Sequence, residues 1–222
     1  MRIALLGGTG DIGEGLALRW AHDTDHEIVI GSRDPEKARS KAEDYETEIE
    51  NRGGETKITG FENGMAADRA DVVVLAVPAY HIADTIEAVE DELAEGDILI
   101  TPATGMKRDE DGFHYHRPGA GSVTKIAVEA APEGVPVVGA FHNLAAGRLT
   151  DLDAELGIDT LVVADDESAK STVTSLAEDI EGLRALDAGS IANAAEIESL
   201  TPLLINVAMN NSGLHDLGVR FD

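Results

Sequence analysis

The chain of 222 residues suffices for one domain, or one domain with a small appendage. Its 17 basic and 43 acidic residues give a formal charge of −26, which excludes nucleic-acid binding through a basic face. A 43% hydrophobic content excludes a disordered chain. The absence of cysteine excludes disulfides, thiolate metal sites and cysteine nucleophiles together. No apolar window reaches the roughly 18 residues of a membrane span. The first residues, MRIALLGGTGDIG, are too short and glycine-rich a run for a signal peptide, so a cytoplasmic address is expected. The acids are spread from end to end. Their self-repulsion is screened to within about 3 Å at 1 M ionic strength, so a protein that works in high salt is expected.

In chain order, Arg2–Leu6 reads as a buried strand, Asp11–His22 as a helix and Glu27–Ile30 as a second strand. Asp34–Ile49 reads as a charged helix, with Asp34 as N-cap and Pro35 at the favoured first position. Thr56–Thr59 is a short strand candidate, and Asp71–Val77 a buried strand ended by Pro78. Ile82–Leu93 reads as a helix and Asp97–Ile100 as a strand. Thr101–Gly121, rich in glycine and proline, reads as a long loop. Val123–Ala131 (helix), Val135–Ala140 (strand), Thr160–Ala164 (strand), Glu167–Ile180 (helix) and Leu183–Leu186 (strand) follow. Ala192–Met209 reads as one long apolar helix, kinked at Pro202. Strands in continuous apolar runs, alternating with helices, predict an α/β fold with a doubly wound, mostly parallel Rossmann-type sheet. A boundary is set near Asn143, dividing a domain of residues 1–142 from a small α/β C-terminal domain of residues 143–222.

Gly8-Thr9-Gly10-Asp11-Ile12-Gly13 matches G-x-G-x-x-G between a strand and a helix, the context in which this motif binds a dinucleotide. The glycines allow a tight turn, close approach of backbone to a pyrophosphate, and close packing of helix on strand. The helix N-terminus offers free N–H groups to that anion. Ser32 stands 19 residues after Gly13, where an NAD site carries an acid, and Arg33 follows it. A hydroxyl and a guanidinium there select a 2′-phosphate, hence NADP. Lys37, one turn on, adds a second cation, and Thr9 a hydroxyl. Val77 and Pro78, at the carboxyl end of a strand, lie where open sheets bind ligands.

Several chemistries are tested by absence. None of Tyr45, Tyr80 and Tyr115 has Lys four residues later, so the Tyr-x-x-x-Lys pair of short-chain dehydrogenases is missing. His114 and His116 have no ligand spacing with acids, so no metal is expected. No Lys–Asn or His–Asp acid/base pair stands out. A carbonyl reductase needs a proton donor, whereas hydride transfer between two cofactors does not, because each heterocycle delocalises its own charge.

The chain resembles the archaeal NADPH:coenzyme F420 oxidoreductases, in a haloarchaeal-type version. The likeness runs through MRIALLGGTGDIGEGLALR, EIVIGSR and, most specifically, LRALDAGSIANAAEIESLTPLL. It implies a hydride passed between NADP(H) and the deazaflavin coenzyme F420, a homodimer, and a deazaflavin stacked on the nicotinamide between domains. By motif, Thr9, Ser32, Arg33 and Lys37 correspond to the family's 2′-phosphate contacts. Ala140-Phe141-His142-Asn143-Leu144 resembles the nicotinamide–deazaflavin junction. The likeness implies that His142 positions a ring, that Leu144 is an apolar wall and that Thr201 lines the deazaflavin side. Asp11 departs from the amide more usual after Gly10, and Asn143 from the small polar residue of some members. Two other readings stay open at this stage: an NADPH-dependent ferric or flavin reductase, and a non-catalytic NADP-binding redox sensor.

Overall fold

The computed structural model describes residues 1–222. The strands are β1 (Arg2–Leu6), β2 (Glu27–Ser32), β3 (Ile58–Glu62), β4 (Val72–Leu75), β5 (Ile98–Thr101), β6 (Met106–Asp109), β7 (Gly112–Tyr115), β8 (Val137–Gly139), β9 (Ile158–Ala164) and β10 (Leu183–Asp187). The helices are α1 (Asp11–Asp23), α2 (Pro35–Asn51), α3 (Asn63–Ala67), α4 (Ile82–Glu87), α5 (Val123–Ala130), α6 (Ala146–Thr150), α7 (Glu167–Glu178), α8 (Ala194–Glu198) and α9 (Leu200–Asn210).

Eight strands form one sheet in the order β10-β9-β8-β5-β4-β1-β2-β3. The pairings from β8 to β3 are parallel; β9 meets β8 antiparallel and then pairs parallel with β10. The sheet therefore runs without interruption across residue 143. Alternation along each strand sends side chains to opposite faces. Ile3, Leu5, Ile28, Ile30, Val72 and Val74 pack with residues of α1, α2 and α7. Ala4, Leu6, Val29, Val73, Leu75 and Leu99 pack with α3, α4 and α5 on the other face. Both faces are covered, which explains why the strands read as unbroken apolar runs.

The Asp34 cap is present: its side chain accepts from the amides of Glu36 and Lys37 at 3.0 and 3.3 Å. Other expectations need correction. Thr101–Gly121 is not simply a loop, since it contains the antiparallel hairpin β6–β7. These strands are short and mostly exposed, so they carry no apolar alternation. Asn206 of α9 pins the hairpin by donating to the Phe113 carbonyl (2.6 Å) and accepting from the Phe113 amide (2.8 Å). The helix expected over Ala192–Met209 is three pieces: a 3-10 turn at Ile191–Asn193, then α8, then α9. Pro202 sits in the first turn of α9, where no intrahelical donor is required, so it starts a helix rather than kinking one. The helix expected over Ile82–Leu93 stops at Glu87. The strand expected over Asp71–Val77 is shorter, and that over Thr56–Thr59 shifts to β3.

One junction sets the geometry of the site. A Cβ on Gly15 of α1 would lie 2.5 Å from Leu149 Cβ of α6, so the two helices touch almost backbone to backbone. The buried Arg19 of α1 donates to the carbonyls of Leu149, Arg148, Asp151 and Ala154 at 2.6–3.1 Å. These bonds fix the helix that opens at the glycine loop against the segment that follows His142.

Candidate active site

The glycine loop leaves β1 at Gly7, whose φ of +79° suits glycine. A Cβ on Gly8 would meet the Leu5 carbonyl oxygen at 2.8 Å, and one on Gly13 would meet Gly8 Cα at 2.6 Å. The fold itself needs these two glycines. A Cβ on Gly10 would meet nothing closer than 3.4 Å, and its φ of −99° suits any residue. Gly10 is therefore not required by packing, and a ligand approaching the backbone is what glycine there would serve. The amides of Asp11, Ile12 and Gly13 have no intrachain acceptor and form an anion-ready helix start. Beneath the loop, the buried Tyr45 hydroxyl of α2 donates to the Gly8 carbonyl at 3.1 Å. Burial raises that phenol above its ordinary pKa, so it stays a donor. Glu14 is drawn toward Lys41 of α2 at 3.6 Å.

A pocket of about 440 Å³ opens over the carboxyl ends of β1 to β4. It is centred on the switch point where β1 has β2 on one side and β4 on the other, the crevice where doubly wound sheets take ligands. Thr9, Gly10, Ser32, Arg33, Lys37, Val77 and Pro78 line it. The Ser32 hydroxyl accepts from the Asp34 amide at 3.1 Å, which leaves its proton free to donate. The Arg33 and Lys37 side chains are exposed, and no carboxylate lies within 4.0 Å of either cationic group; in a chain with 43 acids they remain available to an anion. Gly8 and Gly13 lie beneath this wall, and neither they nor Asp11 or Ile12 line the pocket. Ala140 is fully buried in the core and lines no part of it.

A second, mostly apolar pocket of about 510 Å³ lies beyond β8. Its walls are Asn143–Gly147, one side of α9 and Leu214–Leu217 of the C-terminal tail. Leu144 and Thr201 both line it. The tail is strapped down by the buried Asp159, which accepts from the Phe221 amide (2.7 Å) and, bidentately, from Nε and Nη2 of Arg184 (2.8 and 2.7 Å). Hydrogen bonds from that guanidinium and the Phe221 amide hold the Asp159 carboxyl below its ordinary pKa. Asn143 donates to the Asp159 carbonyl at 2.7 Å, so one residue secures two walls.

His142 sits beside this pocket rather than in its wall. It is buried, and burial pushes its imidazole down to about 3, so the ring is neutral across the working range. Nε2 lies 3.4 Å from Thr124 Oγ1, and Nδ1 has no partner. The Thr201 hydroxyl donates to the His142 carbonyl at 2.6 Å and lies 3.2 Å from the Thr104 hydroxyl. Phe141, just before it, is held at a φ of +66°, a costly conformation for a phenylalanine. The Thr160 hydroxyl accepts from its amide at 3.1 Å, and Trp20 packs edge-on against its ring at 5.6 Å. These two contacts hold the strained residue in place next to the unpaired nitrogen of His142.

Sequence reasoning did not single out Glu62 and Asn63, which line the polar pocket after β3, nor His81 and Asp84 opposite them. Asn63 is buried, and its Oδ1 has no partner. Leu204, Ile205 and Ala208 of α9, which complete the apolar pocket, were equally missed. Counted from Thr201, their i+3, i+4, i+7 spacing was the available signal.

Residues 2–105 match the family model described as NADP oxidoreductase, coenzyme F420-dependent. A relative in Methanocaldococcus jannaschii, an F420-dependent NADP reductase, is 40% identical over 213 residues, covering 93% of this chain and 92% of its own. A relative of the same name in Methanothermobacter marburgensis is 38% identical, covering 99% and 97%. Among solved structures, an Arthrobacter sp. FB24 protein provisionally assigned as an F420-dependent NADP reductase superposes with a TM-score of 0.80. It is 24% identical, over all of this chain and 99% of that one. A pyrroline-5-carboxylate reductase from Coxiella burnetii shares the fold at a TM-score of 0.58 and 18% identity, over 96% of this chain and 72% of that one. With both coverage and identity this high, the chain belongs to the coenzyme F420-dependent NADP oxidoreductase family.

Proposed function

We propose that this protein is an oxidoreductase that passes a hydride directly between NADP(H) and coenzyme F420, with their rings stacked. The observation that carries this reading is the presence of a polar pocket with unpaired cations and a separate apolar pocket, on segments that the α1–α6 contact packs against each other. When bound, NADPH offers a hydride at nicotinamide C4 and the oxidised deazaflavin accepts it at C5. The protein's part is to hold and exclude. The Asp11–Gly13 amides take the pyrophosphate, and Ser32, Arg33, Lys37 and Thr9 take the 2′-phosphate. Leu144 and α9 present an apolar wall to the deazaflavin. His142 and Thr201 fix the backbone at the junction. No side chain need move a proton to the reacting carbons, which fits a neutral, buried His142. Orientation is the main source of rate, and well-oriented systems gain on the order of 7–11 kcal/mol from it.

In this reading residues 1–142 hold NADP, while residues 143–222 supply the deazaflavin side and the dimer contact. Support for a homodimer comes from α9: only Pro202 is buried, while Leu203 and Val207, which do not line the apolar pocket, are exposed, as is Phe221 in the tail that follows. Apolar surface of this kind calls for a partner, and a second copy of this chain is the one proposed. Leu203→Glu should then shift the protein toward monomer in light scattering. The placement of acids supports work in a salt-rich cytoplasm: of 43, only Asp159 and Glu198 are buried.

NADPH carrying deuterium at C4 tests direct transfer. The label should appear at C5 of the reduced deazaflavin; label recovered in water would refute direct transfer.

A further inference from the structure

Glu198 ends α8 and is wholly buried, yet it lines neither the polar nor the apolar pocket and forms no ion pair. Its two oxygens accept four hydrogen bonds. Oε2 takes the Tyr115 hydroxyl of the hairpin (2.9 Å) and the Val123 amide (3.0 Å). Oε1 takes both the Thr124 amide and the Thr124 hydroxyl, each at 2.9 Å. The Thr124 hydroxyl has one proton, and the shorter, charge-assisted bond to Glu198 claims it. At 3.4 Å from His142 Nε2, Thr124 Oγ1 can then only accept, so the proton on the ring resides on Nε2. Nδ1, buried and without a partner, is left as a bare acceptor.

We propose that Glu198 and Thr124 are positioning residues for hydride transfer: the carboxylate orients the Thr124 hydroxyl, the hydroxyl fixes the His142 tautomer and ring, and the fixed residue holds its carbonyl where Thr201, in the wall of the apolar pocket, bonds to it. This inference rests on the junction role given to His142. The same carboxylate ties together α5, the hairpin and the turn leading to Thr201, so the orientation is set from three elements. A neutral imidazole without this relay would exchange between two tautomers, only one of which donates to Thr124.

Two measurements on the full-length protein separate the possibilities. Nitrogen-15 NMR of labelled histidines should show His142 protonated on Nε2 in the native protein; protonation on Nδ1 would overturn the proposal. Thr124→Val keeps shape but removes the hydroxyl, and should slow single-turnover reduction of the deazaflavin by about tenfold at saturating NADPH, with NADPH affinity unchanged. Thr124→Ser restores the hydroxyl and should recover most of that rate. The reverse order, with Thr124→Ser slow and Thr124→Val fast, would assign Thr124 to packing against Gly139 and overturn the relay. Glu198→Gln should match Thr124→Val in rate and tautomer. An unchanged rate in His142→Ala would instead defeat the His142 reading beneath it, and the NMR result would still stand apart.

Discussion

The two pockets are built in different ways. The polar one takes Gly7, Thr9 and Gly10 from one short segment and Ser32, Arg33 and Lys37 from another, brought together because β1 and β2 are adjacent parallel strands. The apolar one takes its walls from residues 143–147, from α9 and from residues 214–217, segments distant in the chain that β9, the strap at Asp159 and the Glu198 cluster hold in place. Anion recognition needs directional donors on a rigid turn, and a short motif can encode that. Ring stacking needs only a shaped apolar wall, and many sequences can supply one.

The sharpest break of this contrast is within the glycine loop itself. Gly10→Ala should leave thermal stability close to native and reduce NADPH affinity on the order of a hundredfold, because the new methyl occupies ligand space rather than protein space. Gly13→Ala should lower stability as well, since its Cβ would strike the Gly8 backbone. Calorimetry beside a binding titration distinguishes the two. Arg33→Ala comes next: NADPH binding should weaken by about tenfold to a hundredfold and NADH binding hardly at all. Equal losses would remove the phosphate contact.

On the apolar side the effects are smaller. Thr201→Val removes the bond to the His142 carbonyl and should slow hydride transfer by about fivefold to tenfold, with NADPH affinity retained in a stopped-flow assay. The buried His142 gives a stability signature too. Its folded pKa of about 3 lies below the ordinary value of 6.5, so the unfolded chain binds more protons between those limits. Its contribution is complete above pH 6.5 and is lost as pH falls toward 3, at up to about 1.4 kcal/mol per pH unit. His142→Asn should flatten that slope in denaturant titrations relative to the native protein.

This division also explains what the amino-acid sequence disclosed. Gly31-Ser32-Arg33 and the glycine loop were readable because local spacing determines their geometry. The sheet was readable because strands buried on both faces are apolar throughout. The hairpin β6–β7 was not, since MKRD has no apolar alternation and depends on a distant Asn206. Nor was the break between α8 and α9, where Glu198 turns inward to cap another helix instead of facing water. Composition offers no hint that a chain with 43 acids buries one of them as a structural hub.

The central claim is that an NADP-selective polar pocket and a deazaflavin-shaped apolar pocket serve one transfer. Its most direct test is the absorbance of oxidised coenzyme F420 mixed with the purified protein in molar KCl, with NADPH and with NADH in parallel. Rapid bleaching with NADPH and little with NADH is the predicted result. No bleaching with either, in protein shown to bind NADPH, would contradict it.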